Sequence, residues 1–71
     1  MREWLKNARL AQRITQKQMA DAIGVTEAYY CMIEGGDRQK KLDLTLALRL
    51  GNVLGLSIDE VAKFEEANND K

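Results

Sequence analysis

The 71-residue chain contains no histidine, no proline and a single cysteine, Cys31. Each absence closes a route. Without histidine there is no Cys/His metal centre and no imidazole to move protons near neutral pH. One cysteine cannot form an internal disulfide, and a lone thiol fits a reducing cytoplasm. No apolar run approaches the ~18 residues of a membrane span. The opening Met1-Arg2-Glu3-Trp4 lacks the apolar stretch of a signal peptide. No Gly-rich phosphate loop occurs, nor any motif pairing a nucleophile with a base. The chain is therefore expected not to be an enzyme, and to take no cofactor, metal or small-molecule substrate.

What is present is an ordinary globular balance, 45% hydrophobic and 31% charged, enough for one domain over residues 1–71. A domain of this size buries only ~60% of its unfolded surface. With disulfides and metals excluded, a partner subunit is the remaining way to support so small a core.

Eleven basic and eleven acidic side chains cancel, which by itself speaks against nucleic acid. The zero hides an asymmetry. Met1–Lys41 carries eight basic residues and five acidic ones, a net +3; Leu42–Lys71 carries three and six, a net −3. The two halves are expected to do different work.

Glycine is the strong punctuation, at Gly24, Gly35, Gly36, Gly51 and Gly55. A first helix is expected over Arg2–Gln12, with Trp4, Leu5, Ala8 and Ala11 recurring at helical spacing. Thr15-Gln16-Lys17-Gln18 reads as a capping box opening a second helix, which faces Met19, Ala20 and Ile23 inward and ends at Gly24. Thr26 caps a third helix, Glu27–Glu34, with Tyr30 and Ile33 inward and Gly35-Gly36 as its stop.

The next stretch is ambiguous by period. Leu42, Leu44, Leu46, Leu48 and Leu50 alternate as in a strand. Leucine's helix preference, the absence of β-branched clusters and Asp43 as N-cap favour a helix. Its expected inward stripe is Leu44, Ala47, Leu48, Gly51 and Leu54. Gly55 ends it. Ser57-Ile58-Asp59-Glu60 is a second capping box, opening a fifth helix with Ile58, Val61 and Phe64 inward. Residues 68–71 are expected to fray, and Glu65–Asp70 reads as a solvated acidic helix end.

The informative unit is residues 15–36: helix, glycine-centred turn, helix. Two short helices joined this way form a helix-turn-helix, whose second member enters the major groove of DNA. Around it, Leu5, Arg9, Thr15, Gln16, Met19, Ala20, Ile23, Gly24, Val25, Thr26, Ile33, Glu34, Gly36, Leu54, Gly55, Leu56, Ser57, Ile58 and Asp59 stand in one register. That pattern, over Leu5–Val61, resembles the Cro/cI-type (XRE-like) helix-turn-helix domain of phage and bacterial repressors. The resemblance implies an all-α, five-helix, lambda-repressor-like fold. It also implies a sequence-specific DNA-binding transcriptional regulator, read as a repressor that binds double-stranded DNA as a homodimer in a bacterial or phage-derived cytoplasm, on the nucleoid.

It further implies roles for residues. Gln16, with Lys17 beside it, and Thr26 match positions that touch the sugar-phosphate backbone, and Arg38, Lys40 and Lys41 fall in a loop that grips phosphate. Glu27, Ala28, Tyr29 and Met32 match positions that reach base edges. Arg9 and Glu34 match a structural salt bridge that sets the reading helix's angle.

The bland readings stand beside these. Glu27 is equally a first-turn acid that complements the helix dipole. Met32 suits either a groove or an adaptable protein contact. Cys31 is read as a small residue rather than a redox switch, and Tyr30 as core. The helix centre lacks the usual Arg, Lys, Gln or Asn base readers. Leu46, Leu48 and Val53 exceed one inward stripe; they fit a homodimer seam or a deeper core. A rival reading keeps the fold but makes it a protein-binding adaptor, an antitoxin or antirepressor.

Overall fold

The computed structural model describes residues 1–36 and 42–69. Among them the chain forms five α-helices and no strand: α1 (Glu3–Ala11), α2 (Gln16–Ile23), α3 (Glu27–Gly35), α4 (Leu44–Leu54) and α5 (Ile58–Asn69). The all-α, five-helix expectation holds, and the leucine alternation is helical. The expected phosphate-gripping residues Arg38, Lys40 and Lys41 lie outside the described residues, as does the tail beyond Asn69.

Four helices start where a side chain can satisfy a free first-turn amide, each such cap stabilising by ~1 kcal/mol. Thr15 Oγ1 accepts from the Gln18 amide at 3.0 Å while Gln18 Oε1 accepts from the Thr15 amide at 2.9 Å. Thr26 Oγ1 accepts from Tyr29 at 3.1 Å, and Asp43 Oδ1 from Leu46 at 2.8 Å. Ser57 and Glu60 exchange the same reciprocal pair, 2.9 and 3.1 Å. Three helices end on a left-handed glycine, at Gly24, Gly36 and Gly55. α1 ends at Ala11 with Gln12 as its C-cap; the following Arg13 sits at φ +58°, and Ile14 N–H returns to the Arg9 carbonyl at 3.2 Å.

The core joins Leu5 of α1, Met19, Ala20 and Ile23 of α2, Tyr30 and Ile33 of α3, and Leu46, Leu50 and Leu54 of α4. Val61 of α5 is buried too. The inward stripe of α4 differs from the expected one. Leu46, Ala47, Leu50, Gly51 and Leu54 are buried, whereas Leu44 and Leu48 are 66% and 46% exposed. A run with leucine at every second position offers several helical stripes. Contacts from outside the run decide among them. Gly51 is one such contact, for it lets the Leu56 carbonyl approach α4. Ile58 and Phe64 were expected inward with Val61 and are instead partly exposed. Phe64 stacks on Trp4, ring centroids 5.6 Å apart. Ala11 is exposed, and α1 buries Leu5 and Arg9.

Candidate nucleic-acid interface

The turn between α2 and α3 is three residues long. Its first, Gly24, sits at φ +79°, a conformation that costs a residue with a Cβ roughly 1–2 kcal/mol. Arg49 of α4 donates from Nη1 to the Ile23 carbonyl at 3.1 Å, placing a cation at the negative end of α2.

Behind α3 lies a buried polar knot centred on Glu34, which is 3% exposed. Its Oε2 accepts from Arg9 Nε at 2.9 Å and from the Tyr30 hydroxyl at 2.7 Å. Its Oε1 accepts from Arg9 Nη2 and from Gln16 Nε2, both at 3.2 Å. Arg9 Nη1 donates onward to the Ile14 carbonyl at 2.8 Å. The Arg9–Glu34 fork is thus a two-bond ion pair linking α1 to the end of α3. Cys31 Sγ donates to Gln16 Oε1 at 3.2 Å.

Electrostatics follow from this geometry. Burial alone would raise the Glu34 carboxyl, but donors from Arg9, Tyr30 and Gln16 outweigh it and hold the group below the ordinary carboxylate range. The bond to Glu34 raises the Arg9 guanidinium against the effect of burial. Burial, then the same carboxylate, pushes the Tyr30 phenol well up. Glu34 therefore contributes stability that is fully present above the unfolded carboxyl value of ~4.3 and is lost as pH falls through its lower folded value. Thermal melts should show a melting temperature that falls as pH drops from about 5. Glu34→Gln should lose that component of the pH dependence; an unchanged profile in the variant would refute the assignment.

The named site residues differ in exposure. Glu27, Ala28 and Met32 lie exposed on α3, with Thr26 exposed at its start and Lys17 exposed on α2. Tyr29 is half-buried against the core. The Gln16 side-chain amide is bonded at both ends inside the protein. Among the seam residues, Leu46 is 7% exposed and belongs to the chain's own core. Val53 is half-buried against that core, and Leu48 remains on the surface.

Sequence reasoning missed Arg2 and Glu65. Arg2 is 1% exposed and pairs with Glu65 Oε2 at 2.9 Å, and Trp4 Nε1 donates to the same oxygen at 2.7 Å. Glu65 is therefore an anchor rather than part of a solvated acidic end. Beside it, an apolar groove of about 350 Å³ runs between α4 and α5, lined by Leu42, Leu44, Ile58 and Val61 and edged by Glu65 and Glu66. No helix among the described residues is long and apolar enough to cross a membrane.

Comparison with known proteins adds a family. A family model described as Helix-turn-helix matches residues 5–61. The chain is 39% identical to the uncharacterized HTH-type transcriptional regulator YqaF of Bacillus subtilis, over 99% of this chain and 87% of YqaF. It is 35% identical to the regulator YqaE of the same organism, over 97% of this chain and 56% of that one. It is also 35% identical to the SPbeta prophage-derived regulator YonR, over 96% and 61%. The chain thus spans less than two thirds of the latter two relatives. No solved structure matches.

Proposed function

The chain belongs to the helix-turn-helix family, and from that premise we propose that it is a sequence-specific DNA-binding transcriptional regulator acting as a repressor. It would work in the cytoplasm, as a homodimer, with one α3 in each of two major grooves about one helical turn apart. The observation that carries this reading is the lock between Gln16 and the Cys31–Glu34 side of α3. It holds the start of α2 beside the second helix. The thiol and the carboxylate lie on the half-buried and buried sides of α3, which leaves Glu27, Ala28 and Met32 exposed. The α2 capping box leaves the amides of Gln16 and Lys17 for a phosphate.

In this reading Ala28 and Met32 pack on thymine methyls and Glu27 accepts from a cytosine amino group. Tyr29 reaches a base edge with its hydroxyl. Lys17 and Thr26 hold phosphate, Gln16 does so through its main chain, and Arg38, Lys40 and Lys41 add charge. Leu48 joins exposed Leu44 as the apolar surface for a second copy, with Val53 at its margin. The exposed apolar groove between α4 and α5 favours a second reading, a protein-binding adaptor such as an antitoxin or antirepressor.

The test is a shift assay on DNA flanking the chain's own gene at ~50 mM salt, where phosphate contacts are strongest. Binding should weaken steeply with salt, and Lys17→Ala should lower the salt slope by about 1. Ala28→Glu, which sets an acid against the groove, should cut affinity by about tenfold or more. Sedimentation should show a dimer that Leu48→Asp dissociates. No shift at low salt, with a stable hetero-complex on pull-down, would favour the adaptor.

A further inference from the structure

Arg2, 1% exposed, bonds to two distant helices, α3 and α5. Its Nη1 donates to the Ile33 carbonyl at 2.6 Å, and its main-chain N–H donates to the Glu34 carbonyl at 2.8 Å. Both acceptors belong to the last turn of α3, where carbonyls lack partners within the helix and a cation complements the dipole. Its Nε donates to Glu65 of α5 at 2.9 Å. The Glu65 oxygen is held in turn by Trp4 Nε1 at 2.7 Å, and the Trp4 ring lies stacked on Phe64, planes 12° apart. The N-terminal segment also crosses close to Gly36, where an added Cβ would lie 3.5 Å from the Met1 nitrogen.

We propose that Arg2 is a positioning residue for DNA binding, setting the angle of α3 by tying its last turn to Glu65 of α5. The inference rests on the reading of α3 as the DNA-reading helix. Arg9 already grips the Glu34 side chain. The bonds from Arg9, Gln16 and Tyr30 all converge on the one Glu34 side chain and leave the main chain of that turn unheld by them. The Arg2 side chain adds a second hold, on the main chain of the preceding residue Ile33, and anchors it to a different helix. A binding surface works when its parts stay within about 0.5 Å and 10–20° of the productive geometry, and two holds on one turn supply that constraint. The planar guanidinium suits the task. It presents donors in a fixed fork to a carbonyl on one side and a carboxylate on the other, which an ammonium cannot match. Since Arg2 is buried, it does this without touching phosphate.

The experiment uses the full chain and the DNA fragment that the wild type shifts. Affinity, salt slope and thermal melting are measured for wild type, for Arg2→Met/Glu65→Gln and for Arg2→Lys. The double variant removes both charges, so neither is left buried alone, and the amide still accepts from Trp4. It should melt near the wild type yet bind DNA about tenfold more weakly. Its salt slope should be unchanged, because no phosphate contact is lost. If the double variant does not fold, Arg2→Lys carries the test, expected to bind about threefold more weakly with a near-normal melt. Wild-type affinity in either folded variant overturns the proposal. So does a slope reduced by about 1, which would make Arg2 a phosphate contact. Failure of the wild type to bind DNA at all removes the reading of α3, and this proposal with it; binding by the wild type with no loss in the variants removes this proposal alone.

Discussion

Glu34→Leu is expected to remove half or more of the chain's folding stability. The substitution strands the Arg9 guanidinium, which is 7% exposed, without its carboxylate. It also takes away the acceptor of the Tyr30 hydroxyl and one partner of the Gln16 amide. Breaking a buried pair by removing one member costs about 3–5 kcal/mol, because the remaining charge stays desolvated. At roughly 0.05–0.15 kcal/mol per residue, a chain this short has only about 4–11 kcal/mol in total. Urea denaturation followed by circular dichroism should show the midpoint at least halved. Arg9→Met/Glu34→Leu should recover much of the loss, since an apolar pair strands no charge. A Glu34→Leu midpoint close to the wild type would sink the account.

That expectation separates two kinds of contact behind α3. The Glu34 knot ties α3 to α1 and α2, so substitutions there are expected to report on folding before DNA. Arg2 and Glu65 bring α5 to bear on the same turn. On the proposed reading, the acidic C-terminal half thus bears on the DNA-binding helix through the Arg2–Glu65 ion pair.

Much of this was legible in the sequence because its causes are local. Thr15–Gln18, Thr26, Asp43 and Ser57–Glu60 announce helix starts through bonds three residues long. Gly24, Gly36 and Gly55 announce ends through a backbone state that glycine adopts freely. What was not legible depends on partners distant in the chain. Arg2 and Glu65 are 63 residues apart, and nothing in either neighbourhood marks a buried ion pair. The bonds that the Gln16 side chain makes to Glu34 and Cys31 likewise join residues 18 and 15 positions apart. Arg13, just past the end of α1, takes the left-handed state without being glycine. In α4 the excess of leucine left the choice of face to distant contacts, so Leu46 went to the core and Leu44 to the surface.

One of those contacts yields an expectation whose sign runs against propensity. Within a helix, Gly→Ala normally stabilises by about 1 kcal/mol. Gly51 is buried in the middle of α4, and its carbonyl accepts from Leu56 N–H at 2.8 Å. A Cβ on Gly51 would stand 2.7 Å from the Leu56 carbonyl oxygen and 3.5 Å from Val61 Cγ2. The nearer atom is main chain, so no rotamer change relieves it and the Gly55 turn must shift with α5. Overpacking of this kind costs typically 1–3 kcal/mol, enough to outweigh the propensity gain. Gly51→Ala should therefore lower the melting temperature, whereas Asn52→Ala, on the exposed neighbour, should raise it slightly. A Gly51→Ala chain more stable than the wild type would show that α5 yields without cost. Any shift of α5 also moves Glu65, and with it the hold of Arg2 on α3. Gly51→Ala should thus weaken DNA binding by more than its fraction unfolded accounts for, although α4 carries none of the proposed base contacts.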